Sequence, residues 1–318
     1  MGKSTADRIE DLKSSSAPVL SQDIMAEAGR KVLLVEFIKL LEHEEGSRTG
    51  EDIEDVHDMR VAIRRIRSAF RLLRPYFKRS TLRRFNAELS QLGWTLGEVR
   101  DLDVLIEDMR DYQRKLKALQ QASLQEVVDV LDAERVTART ALVKTLDSRA
   151  YRRFVKDFSK FVVTSGEGAK SLAEDGVLPS QVRHILPAMI YSRMAAVRAY
   201  ETVVDAADAP IFHALRIELK RLRYTVSLFQ GVLGTQIDDF IEELKSLQDC
   251  LGHMNDVATA RARLSLLLEG HPVEVLNMYL KYLEKKEAAS HSSFLELWSN
   301  FNSRRVQQKL ATALLALR

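Results

Sequence analysis

The stretch His57-Asp58-Met59-Arg60-Val61-Ala62-Ile63-Arg64-Arg65-Ile66-Arg67 returns 156 positions later (57 against 213) as His213-Ala214-Leu215-Arg216-Ile217-Glu218-Leu219-Lys220-Arg221-Leu222-Arg223. A second motif, Leu96-Gly97-Glu98-Val99-Arg100-Asp101-Leu102-Asp103-Val104, returns 155 positions later (97 against 252) as Leu251-Gly252-His253-Met254-Asn255-Asp256-Val257-Ala258-Thr259. Two separate motifs at nearly one offset point to two copies of one helical unit, and a repeat of this kind decides the fold class. The expectation is an all-α chain built from two copies of a helical bundle.

Composition agrees with that class. The chain has 318 residues, 46% of them hydrophobic and 29% charged, with only 13 Gly and 6 Pro. Leu, Ala, Arg, Glu and Lys dominate, which is the usage of long helices rather than of strands. A net charge of +3 says little about partners, so electrostatic reasoning rests on local clusters. The single cysteine, Cys250, excludes a disulfide framework and a cysteine zinc site, and reads as a buried thiol. Met1 to Val19 is polar and Ser-rich, unlike a secretory signal. No run approaches the roughly 18 apolar residues of a membrane span. These features suggest a soluble, cytoplasmic protein without a membrane partner.

Along the chain, residues 1–21 read as a flexible tail and residues 22–318 as one domain. Its first half covers about 22–163, a Gly- and Pro-containing linker about 164–180, and its second half about 181–318. Helical spacing marks Asp23 to Glu45, then a break over Gly46 to Gly50, then an acid-led helix from Glu51 to about Phe77. Helices are next expected over Ser80–Leu96, from Arg100 towards Ala118, over Ser123–Asp147 and over Tyr151–Val163. In the second half they are expected over Val182–Asp205, Pro210–Gly231, Gln236–Leu251 and Asp256–Glu269, with two or three more to Leu317. Asp208 with Pro210 makes a good helix start. Gly97 and Gly252 are expected at bends, in the left-handed helix-ending conformation. Asp101 and Asp256 would then cap the next helix or orient the basic residues.

The repeated helix segregates its charge. At about 100° per residue, His57, Arg60, Arg64, Arg67 and Arg71 share one stripe. Met59, Ala62, Ile63, Ile66, Phe70, Leu73 and Phe77 lie on a different face. Between His57 and Arg84 stand ten Arg or Lys residues and one acid, Asp58, whereas a merely solvated helix intersperses acids at i,i+4. In the second copy His213, Arg216, Lys220 and Arg223 share the stripe, and Leu215, Leu219, Leu222, Val226 and Phe229 the apolar face. Arg65, Arg74, Arg100, Arg221 and Tyr224 flank it.

Guanidinium groups one turn apart repel unless a polyanion or buried carboxylates neutralise them. Arg suits phosphate, since its planar fork donates two parallel hydrogen bonds, and rungs spaced ~5.4 Å can grip an extended phosphate chain. The alternative is pairing with acids such as Asp101, Asp103 and Asp256. A neutral imidazole can donate to phosphate, and its cation would strengthen binding below pH ~6.5. Neither histidine has a His or carboxylate partner at i+3 or i+4 for a metal.

At these residues the chain resembles the CHAD family, the conserved-histidine α-helical domain. The matching pieces are His57-x-x-Arg60-Val61-x-x-Arg64-Arg65-x-Arg67, His213-x-x-Arg216-x-x-x-Lys220-Arg221-Leu222-Arg223-Tyr224 and Leu247-Gln248-Asp249-x-Leu251-Gly252-x-x-Asn255-Asp256, within a likeness spanning about 22–300. The resemblance implies two four-helix bundles related by a pseudo-two-fold axis, flanking a basic central pore that binds inorganic polyphosphate. It implies no catalysis, no cofactor, and in some relatives attachment to polyphosphate or storage granules. Many relatives carry an upstream triphosphate-cleaving domain, which the short polar start of this chain leaves no room for. Ser227 stands where the repeat would place Arg71, so the two halves need not grip a ligand equally. Three readings compete: general polyanion or nucleic-acid binding, hydrolysis of phosphoanhydrides, and a structural role at storage granules. The first wants aromatics beside the cations, for which Tyr76 and Tyr224 are candidates. The second wants a metal-binding carboxylate cluster or a positioned base near the phosphate, for which Asp101, Asp103 and Asp256 are too few and too cap-like. Oligomeric state stays open between monomer and homodimer.

Overall fold

The computed structural model describes residues 4–171, 180–204, 207–267 and 273–318, and its helices follow the apolar periodicity of the chain. They are Thr5–Ser14 (α1), Met25–Glu42 (α2), Glu44–Thr49 (α3), Ile53–Leu73 (α4), Arg79–Gln113 (α5), Ala118–Leu146 (α6) and Arg149–Val163 (α7). After these come Val182–Arg198 (α8), Ala209–Leu228 (α9), Gln230–Leu233 (α10), Asp238–Leu267 (α11), Val273–Phe301 (α12) and Arg304–Leu315 (α13). Among the described residues extended pairing is limited to isolated bridges, and no helix is long and apolar enough to cross a membrane.

Local chemistry sets the ends of the two basic helices. Asp52 caps α4 by accepting from the Glu54 amide at 2.9 Å, and Glu54 and Asp55 face the positive helix end. The helix stops just before Pro75. Asp208 caps α9 through the Ile211 amide at 3.1 Å, with Pro210 in the first turn, as the sequence predicts. Every residue assigned to the two apolar faces is buried.

Three expectations need correction. The segment read as a tail forms α1, which buries Leu12 and binds α2 through the Lys13–Glu42 ion pair at 2.7 Å. The bends expected at Gly97 and Gly252 are absent: both glycines lie inside uninterrupted helices, α5 and α11, and neither has a positive φ. Asp101, in mid-helix, therefore caps nothing. The side chain of Asp256 lies outside the described residues. A Cβ at Gly97 would meet the Arg60 guanidinium at an ordinary contact distance of 3.7 Å, and one at Gly252 would meet none of the described residues within 4 Å. The break near residue 50 is real, but it is a short helix, α3, ended by Gly50 at φ 65°. The described part of the linker is tied down, with the Lys78 amide donating to Gly168 and the Lys170 amide to Tyr76 at 2.8 and 2.9 Å. Gly176 and Pro179 lie outside the described residues.

Helix order and length recur along the chain. α2, α4, α5, α6 and α7 have 18, 21, 35, 29 and 15 residues; α8, α9, α11, α12 and α13 have 17, 20, 30, 29 and 12. Packing recurs too: α2 on α4 as α8 on α9, α4 on α5 as α9 on α11, and α5 on α6 as α11 on α12. The apolar interior is not divided between the halves. One core joins Phe37, Ile66 and Phe158 with Leu219, Phe240 and Phe301, and a second joins Ile106, Met109 and Leu131 with Leu264, Leu276 and Tyr279. In the second core the carboxylate of Asp108 on α5 accepts from the Tyr279 hydroxyl at 2.7 Å and from Lys286, both on α12. Cys250 is a half-buried thiol donating to the Ser290 carbonyl, and burial raises its pKa.

One polar contact crosses the main core. Glu36 of α2 is 2% exposed and pairs with Arg65 Nε of α4 at 3.0 Å, while Arg65 Nη2 reaches the Ser227 carbonyl of α9 at 3.4 Å. Removing one partner of a buried pair strands the other charge, at a cost of about 3 kcal/mol. Glu36→Ala is expected to lower the urea midpoint accordingly. An unchanged midpoint would show that the pair contributes nothing.

Candidate functional site

Where α4 turns away from the core its cations divide into two groups. Some are neutralised within the chain. Arg60 Nη2 lies 3.5 Å from Asp101, Arg65 pairs with Glu36, Arg100 Nη1 lies 3.1 Å from Glu54, and Arg221 is bound to Glu218 on its own helix. Arg216 and Lys220 also have partners. The second group is different. Among the described residues no carboxylate comes within ion-pair reach of Arg64, Arg67, Arg71, Arg74 or Arg223. The Nε groups of Arg64, Arg67 and Arg223 are buried without a hydrogen-bond partner among the described residues; the Nε of Arg65 shares that feature, so the missing carboxylate is what separates the two groups. Asp58, the one acid in this run, turns to His43 Nε2 at 3.7 Å. Asp103 is buried and faces Arg135 on α6 at 3.5 Å, so it takes no part in neutralising the row.

Helix α5 forms the floor beside this row. Gly93 brings its backbone against α4, where a Cβ would stand 3.3 Å from Ile63 and 3.9 Å from Arg67 Nη1. At Gly97 a Cβ would stand in ordinary contact with the Arg60 guanidinium, at 3.7 Å, so of the two glycines only Gly93 marks a tight approach, and that approach is to Ile63. The corresponding crossing of α9 and α11 is closed by Gln248, which is buried and donates to the Leu219 carbonyl at 2.8 Å. No sequence rule singled out Gly93, Glu36 or the exposed Trp94; each gains meaning only from the helix packed against it.

The two stripes meet at the C-terminal ends of α4 and α9. Arg65 reaches Ser227, and Arg71 lies near enough to Arg221 and Tyr224 to be influenced by their charge. These contacts are reciprocal: shifting Arg65 and Ser227 by 156 positions gives Arg221 and Arg71. That exchange is what a two-fold axis between the helices would produce. Ser227 keeps this junction small, since an arginine there would crowd Arg65. Desolvation, followed by the positive charges of Arg67 and Arg221, lowers the Arg71 pKa, which marks an unneutralised field. Tyr224 is buried, with Arg223 lying 5.6 Å over its ring, and Tyr76 is half-buried. Neither sequence candidate therefore offers an open aromatic face.

The histidines head the stripes, at the far ends of their helices from the junction. His213 is exposed and His57 is half-buried. Burial, then the charge of Arg100 and that of Arg64, holds the His57 pKa below its ordinary value despite Glu54 and Asp58. It is a neutral hydrogen-bonding group near pH 7.

The fold is shared with solved proteins. The crystal structure of the CHAD domain from the plant Ricinus communis superposes with a TM-score of 0.69, at 22% identity, over 95% of this chain and 96% of that one. PptA from Streptomyces chartreusis gives 0.66 at 14% identity, over 87% and 100%. Uncharacterised proteins of two Mycobacterium tuberculosis strains, CDC 1551 / Oshkosh and ATCC 25618 / H37Rv, are 27% identical over 211 residues. That stretch is 66% of this chain but 39% of those relatives, so the chain spans well under half their length. The CHAD domain family model matches residues 32–265, which is well over half of the chain and includes both basic helices, and the chain belongs to the CHAD family.

Proposed function

We propose that the chain binds inorganic polyphosphate along the joined basic rows of α4 and α9, without catalysing its cleavage. Arg60, Arg64, Arg67 and Arg71 with Arg216, Lys220 and Arg223 form the rows, and His57 and His213 their heads. The observation that carries this reading is the group of half-buried guanidinium groups, Arg64, Arg67 and Arg223, that among the described residues no carboxylate neutralises and whose Nε atoms find no acceptor there. Each buried unsatisfied donor costs about 1–3 kcal/mol, and an anion's oxygens would supply the missing acceptors. A bare phosphate chain is thin enough to lie along these groups. A duplex carries its phosphates on a wide cylinder and meets only exposed cations well.

The recurring helix order and the reciprocal junction support a duplicated unit, with the rows continuing across a pseudo-two-fold axis into one groove or pore. Cellular use would follow from that affinity: a cytoplasmic module recruited to, or organising, polyphosphate granules. The nucleic-acid alternative is less favoured, because the aromatic candidates Tyr76 and Tyr224 are turned inward.

Titration calorimetry with long-chain polyphosphate, against double-stranded DNA at matched phosphate concentration, tests the reading. Tight binding of polyphosphate alone at moderate salt is expected. Equal, salt-sensitive binding of both would make the chain a general polyanion binder. Arg64→Glu combined with Lys220→Glu is expected to abolish binding with helicity unchanged, and binding that survives the pair would refute the site.

The histidine adds a pH signature. Bound phosphate favours the imidazolium and raises the His57 pKa from its lowered value. Affinity should therefore climb as pH falls below about 6.5, towards the free-state pKa. His57→Asn should flatten that rise in titrations between pH 5 and 8. A profile identical to that of the unaltered chain would remove His57 from the site.

A further inference from the structure

Trp94 is 62% exposed, whereas the chain's second tryptophan, Trp298, is 5% exposed in the core. Residues seven apart share a helix face, so Trp94 lies on the line of α5 that also carries Asp101, two turns away. Asp101 reaches Arg60 of α4. The two helices are antiparallel, as the Gly93–Ile63 and Gly97–Arg60 approaches show. Moving back seven residues on α5 thus corresponds to moving forward seven on α4. Trp94 stands to Arg67 as Asp101 stands to Arg60.

The indole is therefore an open aromatic surface next to a guanidinium that no described carboxylate neutralises. Among the described residues no ring stacks on Trp94 and no cation lies over its face. An exposed indole without such a neighbour loses nothing to a ligand that stacks on it, and every nucleobase has a π-face to offer. The feature is one-sided. At the 155-residue offset that relates Gly97 to Gly252, the position of Trp94 is taken by the exposed Asp249, which would repel a phosphate chain rather than hold a base.

From this placement we infer that the first-half row takes a phosphate chain bearing a single nucleobase, a nucleoside polyphosphate, with the base on Trp94 and the phosphates on Arg67 and Arg64. One platform beside a row of cations fits one base at one end of a chain. A nucleic-acid strand would call for a platform at each nucleotide, and the described residues supply one. The inference rests on the phosphate-binding reading given above and adds a term for the base.

The two tryptophans make the test direct, because only Trp94 is positioned to report a stacked base by fluorescence. The full chain is titrated with adenosine triphosphate, with tripolyphosphate and with a single-stranded oligonucleotide at matched phosphate concentration, without divalent cations. Adenosine triphosphate is expected to quench the emission and to bind about tenfold more tightly than tripolyphosphate, the scale of one stacked base. In Trp94→Ala the ratio of the two affinities should fall to about one, and Trp94→Phe should restore most of it. Equal affinities in the unaltered chain, or a ratio that Trp94→Ala leaves intact, would overturn the inference while leaving phosphate binding in place. An oligonucleotide that outcompetes the triphosphate would overturn it in favour of strand binding. Failure of tripolyphosphate and long-chain polyphosphate alike would instead remove the phosphate site beneath it.

Discussion

The contact of Arg65 with Glu36 on one side and with the end of α9 on the other is the joint on which the arrangement depends. Glu36 is among the few charged side chains sunk in the core, and a buried carboxylate is tolerable only with a partner in place. Its partner is one of the cations of α4, fixed by α2 and directed at the last carbonyls of α9, where a positive charge is favoured by the helix dipole. One guanidinium thus sets the position of the second basic helix relative to the first. Without that reference the two rows would have no defined junction, and a ligand spanning both would have no single path.

Around that joint the charges are graded. The outer cations Arg60 and Arg100 have acids within reach, and Arg221 is held by a neighbour on its own helix. Among the described residues the inner ones, Arg64, Arg67 and Arg71, have none. A protein stores this kind of repulsion only where the rest of the structure holds it, and the apolar faces beneath α4 and α9, buried along their whole length, supply the restraint. Gly93 lets α5 approach α4 closely at Ile63, beside the Arg67 guanidinium.

Much of this was legible in the residues. The apolar and basic faces of both helices follow from a period of 3.6 alone, and the Asp208-Pro210 start of α9 follows from capping chemistry. What the sequence misreported was punctuation. Gly97 and Gly252 suggested turns because glycine favours them, yet both lie inside long helices whose packing overrides the local preference; a Cβ at Gly97 would meet Arg60 at 3.7 Å and one at Gly252 would meet none of the described residues within 4 Å. The polar opening residues suggested disorder, but Leu12 and Ile9 pack on the core and Lys13 pairs with Glu42, and together they dock α1 against α2. Glu36 was invisible as a site residue, since a lone acid in an apolar helix has no periodic signature. Trp94 was hidden for a different reason: its neighbour Arg67 is on another helix, and only the antiparallel register brings the two together.

The undivided core has a consequence for origins. Each half contributes residues to both apolar clusters, so a half-chain alone would present a broad greasy seam to water. A one-copy ancestor, as the repeated motifs imply, would have closed that seam by pairing with an identical molecule, in a homodimer whose symmetry axis passed where Arg65 now meets Ser227. Fusion of two such copies would free them to differ, and the pairs Trp94 against Asp249 and Arg71 against Ser227 are differences that a symmetric dimer of one sequence cannot carry.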